Sequence, residues 1–211
     1  MCPENIKLLF KNRLKFNDQQ LNKLFQYEKI LVESNQKYNF IGESTVPFIW
    51  KRHFLDSAQI IKFIEFQDGK SVADLGSGAG FPGILLALYN RNPKFHVKLY
   101  EKSKVKAIFL RKLISELNID CSVYDDDITK QKIEADFVVA RAFKKLPEIM
   151  HISREIIKKD HKLIILSGKS AQEQAEKASK EHFFKYKLED SITDKESKII
   201  VVDVIKKWEK I

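Results

Sequence analysis

Cysteine is nearly absent from these 211 residues: Cys2 and Cys121 stand alone, without the paired spacing that a zinc site or a disulfide framework needs. Such a chain suits a reducing compartment, and Cys121, which opens the strand-like "CSVY", reads as a small buried thiol. Long apolar runs are missing as well. No stretch reaches the ~18 apolar residues of a membrane span, and charge interrupts the N-terminal "MCPENIKLLFKNRLKF" every few residues. Neither a span nor a signal peptide is expected, and the protein reads as soluble and cytoplasmic. No repeat, low-complexity tract, Gly/Ser linker or basic tail divides the chain. Glycine is scarce, with only 7.

What remains is ordinary globular material with a charge bias. At 44% hydrophobic the chain can bury one substantial core. The formal charge of +9 favours a polyanionic partner such as nucleic acid, although a Lys-, Ile- and Asn-rich composition can also reflect a biased genome.

The first 70 residues read as a helical extension. "NDQQLNKLFQYEKILVES" places Asn17 three residues before Gln20, a capping-box spacing, and then sets Leu21, Leu24, Phe25 and Leu31 on one stripe. A second helix is predicted over "VPFIWKRHFLDSAQIIKFI", with Pro47 in its first turn and Trp50, Phe54, Ala58 and Ile61 facing inward. From residue 71 to 211 the rhythm becomes that of one α/β unit. "SVADL", "FHVKLYE", "CSVY", "DFVVARAF" and "KLIILSG" alternate with helical segments starting near Pro82, Lys104, Leu146 and Ser170, the pattern of a parallel sheet. "HFFKYKLED" and "SKIIVVDVIKK", separated only by a short polar turn, should close it as an antiparallel hairpin, making seven strands in all.

The informative stretch is "VADLGSGAGFPG", residues 72 to 83. A strand, closely spaced glycines and a helix bring backbone N–H groups up to a nucleotide-like ligand. Gly78, Gly80 and Gly83 spell the dinucleotide pattern G-x-G-x-x-G, whereas Gly76, Gly78 and Gly80 spell G-x-G-x-G directly after the strand. A dinucleotide fingerprint needs its first glycine at the strand end, where Gly76 stands without a glycine at position 81. Asp74 would repel a pyrophosphate there and favour a ligand with an ammonium and a sulfonium, S-adenosylmethionine; the alternative is an aspartate that merely caps the turn. Pro82 should occupy the first helical position. Glu101, closing the next strand, can accept two hydrogen bonds from ribose hydroxyls, or it forms a surface ion pair. In "YDDDI" the position of Asp126 or Asp127 suits an adenine amine, while three aspartates in a row also suit a solvated turn.

Taken in order, "YNFIGES", "KRHFLDS" at 51 to 57, "VADLGSGAGFPGI" at 72 to 84, "EKSKVKAIFLRKL" at 101 to 113, "VVARAF" at 138 to 143 and "LSGK" at 166 to 169 resemble the bacterial RsmG (GidB) family over nearly the whole chain. The resemblance implies a Rossmann-like class I S-adenosylmethionine-dependent methyltransferase fold. It also implies methylation of guanine N7 in 16S rRNA of the small ribosomal subunit or its precursor. Carried over by position, cofactor contacts fall on Gly76, Phe81, the Asp126 and Asp127 pair, and Arg141. An arginine at a strand end can equally brace loops or touch RNA phosphate. Two departures stand out: Ala79 replaces a proline common in the loop, and Ser167-Gly168 replaces a Lys-Gly pair, with Lys169 next.

Guanine N7 carries a lone pair and no proton, so no general base and no catalytic side chain is assigned. Candidates for holding the base are Asn39, Arg52, His53 and Lys169, with Asp56 beside them. At helical spacing Arg52, His53 and Asp56 could instead form a structural ion-pair cluster. The run Lys102, Lys104, Lys106, Arg111 and Lys112 either tracks RNA phosphates or is a solvated face. No metal and a monomer are expected. The rival readings are a NAD-dependent oxidoreductase using the Gly78 register and a non-catalytic RNA-binding protein.

Overall fold

The computed structural model describes residues 3–182 and 184–205; Cys2 and the last residues expected in the final strand lie outside them. Seven strands form one sheet: β1 (Ser71–Leu75), β2 (His96–Tyr100), β3 (Ser122–Tyr124), β4 (Phe137–Arg141), β5 (His161–Ser167), β6 (Tyr186–Asp190) and β7 (Lys198–Val204). Their order is β3-β2-β1-β4-β5-β7-β6. β1 to β5 run parallel, while β7 is antiparallel to both β5 and β6. The expected hairpin is therefore present, and its second strand sits inside. The "KIIVVDV" of β7 is apolar on both faces and suits an interior position; "YKLED" alternates and takes the edge.

Alternation along the strands divides the core. Val72, Val139, Ile164 and Val201 face one cluster, and Ala73, Val138, Leu163 and Ile200 face the other. The first face is covered by α2 (Asp18–Tyr38), α4 (Gly83–Tyr89) and α5 (Lys104–Leu117), and the second by α6 (Leu146–Ile156) and α7 (Ala171–His182). The short α1 (Glu4–Leu8) and α3 (Asp56–Ala58) complete the set, and no described helix is long and apolar enough to cross a membrane. Cys121 is partly buried beside the first cluster, where burial pushes its thiol up to about 12.

The capping box forms as its spacing requires: the Gln20 N–H donates to Asn17 Oδ1 at 2.8 Å, and the Asn17 N–H to Gln20 Oε1 at 2.9 Å. Leu21, Leu24 and Leu31 are buried, while Phe25 lies at the rim against Trp50, ring centroids 4.8 Å apart. The second predicted helix is corrected. It is a 3₁₀ turn (Glu43–Phe48), a π-helical stretch (Trp50–Leu55), α3 and another 3₁₀ turn (Gln59–Phe63). Trp50, Phe54, Ala58 and Ile61 are nonetheless buried. The helix deforms where long-range contacts compete with local ones: Arg141 donates to the Arg52 carbonyl at 3.0 Å, and wide π turns commonly mark such sites.

Pro82 precedes the first helical residue of α4, which is Gly83. Packing requires the glycine. A Cβ on Gly83 would lie 2.2 Å from Leu99 Cδ2 and 2.6 Å from Asp74 Oδ2. The helix cannot retreat, because the Gly83 N–H donates to that same Oδ2 at 2.9 Å. Gly83→Ala should therefore cost roughly 1–3 kcal/mol by overpacking, seen as a lower urea midpoint at unchanged slope. Gly168→Ala, with open space around its Cβ, should stay within about 0.5 kcal/mol of the parent; equal losses in both would refute the account.

Candidate active site

Strand order reverses between β1 and β4, and ligands of open parallel sheets sit at such a switch point beyond the strands' carboxyl ends. Two cavities open there, of about 630 Å³ and 750 Å³. The first lies over β1–β3 and is walled by the glycine loop, Glu101, Asp126 and Asp127. The second lies over β4 and β5 and is walled by Arg52, Asp56, Gly168 and Thr193. His53, Arg141, Ala142, Phe143 and Lys144 line both.

The glycine loop is gripped from three sides. The N–H groups of Gly76 and Ser77 donate to the Tyr100 carbonyl at 2.8 and 3.1 Å, tying the loop to β2. A Cβ on Gly76 would lie 2.3 Å from the Phe143 ring, and one on Gly80 would lie 2.7 Å from the Tyr27 hydroxyl, which itself donates to the Ala79 carbonyl at 2.6 Å. A Cβ on Gly78 would meet only the Gly76 carbonyl, at an ordinary 3.8 Å; the residue lines the first cavity, its N–H donating to Glu101 Oε2 at 2.9 Å.

Among the residues expected to contact a cofactor, Gly76, Gly78, Phe81, Glu101, Asp126, Asp127 and Arg141 all line the first cavity. Asp74 and Gly80 do not. Asp74 is completely buried beneath the loop, holding the first N–H of α4, and Gly80 is packed against Ile84 and Tyr27. Among the described residues Glu101 forms no ion pair: its carboxylate accepts from the Gly78 N–H at 2.9 Å and from the Ser103 N–H at 2.8 Å, leaving half of its acceptor sites for a ligand. Asp127 caps a short 3₁₀ turn through Thr129, while the Asp126 carboxylate is exposed. Asp125 takes Lys104 and Arg111, so of the basic run only Lys102 and Lys106 reach the cavity.

The common wall centres on Arg141. Its guanidinium donates to the Arg52 carbonyl at 3.0 Å, to Asp56 Oδ2 at 3.4 Å and to His53 Nδ1 at 2.9 Å, and lies 4.8 Å from the centroid of Phe81. Arginine only donates, so Nδ1 must accept and Nε2 must carry the proton. That proton faces Thr45 Oγ1 at 2.7 Å, and the threonine hydroxyl donates in turn to the Gly42 carbonyl at 2.7 Å. Both ring nitrogens of His53 are thus used. The alternative of an ion-pair cluster within "KRHFLDS" is not formed among the described residues: Asp56 instead accepts from Arg141, Gln59 and Thr193. Asn39 caps α2 in a left-handed conformation and lines neither cavity. Lys169, with its side chain 76% exposed, is paired with Glu196 at 2.6 Å beside the second cavity and lines neither. Tyr27, Thr45, Phe143 and Thr193 escaped notice in the sequence. Tyr27 lies on the buried stripe of α2, but its hydroxyl contact has no local signal.

Comparison with known proteins agrees with this geometry. The family described as rRNA small subunit methyltransferase G matches residues 20–201. The chain is 34% identical to the Ribosomal RNA small subunit methyltransferase G of Pelagibacter ubique over 183 residues, covering 84% of this chain and 85% of that one. It is 33% identical to the protein of that name from Orientia tsutsugamushi, covering 87% and 90%. Among solved structures it resembles a SAM dependent methyltransferase from Aquifex aeolicus, with TM-score 0.60, 13% identity, and 75% and 93% of the two chains covered. It also resembles P. horikoshii TYW2 in complex with MeSAdo, with TM-score 0.53, 18% identity, and 73% and 63% covered. These structural likenesses establish a class I methyltransferase fold.

Two buried groups at the site titrate in opposite senses. Burial pushes the Asp74 carboxyl up to about 7 despite the Gly83 N–H, whereas burial and then the Arg141 charge push His53 down to about 3. Their ordinary values, 3.8 and 6.5, return on unfolding. The Asp74 contribution is present below pH 3.8 and lost as pH rises through 7. The His53 contribution is present above pH 6.5 and lost as pH falls towards 3. Between about pH 4 and 6.5 the two slopes oppose each other and nearly cancel. Asp74→Asn should expose the His53 slope, its stability relative to the parent rising by up to ~1.4 kcal/mol per pH unit in that window; His53→Gln should show the reverse. Urea unfolding at stepped pH checks this, and parallel curves for parent and variants would refute it.

Proposed function

This chain belongs to the rRNA small subunit methyltransferase G family, and on that premise we propose that it methylates N7 of a guanine in 16S rRNA of the small ribosomal subunit or its precursor, with S-adenosylmethionine as donor. The observation that carries the reading is the pair of cavities meeting at one wall, His53, Arg141, Phe143 and Lys144. Donor and acceptor can be held apart everywhere except there.

The first cavity fits the donor. Its volume lies within the ~300–1,000 Å³ of small-molecule pockets, and Gly78 leaves its backbone side unobstructed. Glu101 has acceptor sites left for ribose hydroxyls, and Asp126 and Asp127 offer carboxylates for an exocyclic amine. S-adenosylmethionine supplies, when bound, a methyl group on cationic sulfur.

The acceptor side calls for placement. N7 attacks with its own in-plane lone pair, so no proton needs removing, and the one imidazole at the shared wall has its accepting nitrogen occupied by Arg141. The residues of the wall hold their shape and set the acceptor in line with the methyl group, which makes the displacement effectively unimolecular. The second cavity receives the extruded base, and Arg52 at its mouth lies ready for phosphate. With Asn39 and Lys169 lining neither cavity and Arg52 given to phosphate, base recognition rests on Lys144 and the β6–β7 turn.

Small subunits lacking 7-methylguanosine, incubated with the protein and radiolabelled S-adenosylmethionine, should acquire label in 7-methylguanosine of 16S rRNA. Label in another nucleoside, or none, would sink the proposal. Calorimetry should show binding of S-adenosylhomocysteine and no binding of NAD.

A further inference from the structure

Phe48 is the most exposed aromatic residue described, at 61%, on the 3₁₀ turn that leads into the shared wall. A lone surface phenylalanine is unremarkable; its surroundings set this one apart. It lines a depression of about 360 Å³ with Ser44, Thr45, Lys51 and Arg52, and Thr45 and Arg52 also line the second cavity, so the two adjoin. Lys51 and Arg52 are exposed, and neither side chain has an ion pair or hydrogen bond among the described residues, because Asp56 is engaged by Arg141. The turn is also pre-set: the N–H and hydroxyl of Thr45 both donate to the Gly42 carbonyl, and His53 donates to that hydroxyl.

We infer that this depression binds the single-stranded RNA flanking the target base, one neighbouring base stacking on Phe48 and its phosphates lying along Lys51 and Arg52. The inference rests on the reading of an RNA acceptor in the second cavity. A flat ring beside two unpaired cations is the chemistry of a base-stacking platform, which accepts any base because every base has a π face. Sequence-specific recognition of RNA targets single-stranded loops and bulges, whose neighbouring bases are already unstacked, and the adjoining acceptor cavity puts those neighbours beside this turn. Free cations favour a polyanion over a protein surface.

The test compares the full-length parent with Phe48→Ala, Phe48→Tyr and Lys51→Ala. Affinity is measured for a protein-free 16S rRNA fragment and for small subunits, alongside methylation kinetics and S-adenosylhomocysteine binding. Phe48→Ala should weaken binding to fragment and subunit alike by roughly 5- to 150-fold and raise KM for the subunit, with kcat, S-adenosylhomocysteine affinity and the urea midpoint unchanged. Phe48→Tyr should stay within about twofold of the parent. Lys51→Ala should reduce the slope of log affinity against log salt by about 0.7. Unchanged RNA affinity in Phe48→Ala, or equal losses in Phe48→Tyr and Phe48→Ala, would overturn the inference. So would a loss confined to subunits, which would assign the depression to a ribosomal protein. Because binding is read separately from methylation, a parent that binds RNA through Phe48 but transfers no methyl group would refute the proposed activity and leave the docking surface standing.

Discussion

A guanidinium largely removed from water costs several kcal/mol unless its donors are matched, and three of the Arg141 donors are matched by three different groups. The Arg52 carbonyl, Asp56 and Nδ1 of His53 accept from it, and the Phe81 ring lies beneath. Each partner belongs to a different part of the chain from β4, where the arginine stands. The strand end, the deformed helical segment and the glycine loop are thereby fixed to one another. Because an arginine can only donate, the tautomer of His53 follows, then the direction of the bond to Thr45, then the shape of the turn carrying Phe48.

The N-terminal helices are accordingly part of the site. Phe81 packs on Tyr27 and on His53, ring centroids 5.5 and 5.2 Å apart, and the Tyr27 hydroxyl holds the Ala79 carbonyl from the other side of the loop. Below the loop, Asp74 anchors α4 where Gly83 meets Leu99. The proposed reaction, which depends on placement rather than proton transfer, would draw on this rigidity: the loop, the wall and the turn are tied to one another, so a ligand meets surfaces already in position.

Much of the architecture was legible because it depends on local rules. The capping box at Asn17 and Gln20 needs only neighbours three residues apart, and the two-faced burial of "IIVV" in β7 follows from strand periodicity. The order of strands and helices also placed Gly76, Gly78, Glu101, Asp126 and Asp127 at carboxyl ends on one side of the sheet, where they line one cavity. Helical spacing failed at "KRHFLDS", because the backbone there is π-helical and its polar groups are claimed from β4 and the β6–β7 turn. Asp74 and Gly80 belong to the right motif, yet one is turned inward to a helix end and the other is filled by Tyr27 and Ile84.

The sequence by itself determined the class of fold, the kind of loop and the family, since these rest on periodicity, on glycines where a side chain would obstruct, and on ordered motifs. Tertiary structure alone decided which motif residues face a ligand and which support those that do. That choice turns on hydrogen bonds and ring contacts between segments far apart in the chain, such as Tyr27 with Ala79 and His53 with Arg141, whose energies appear only once the core has brought them within reach.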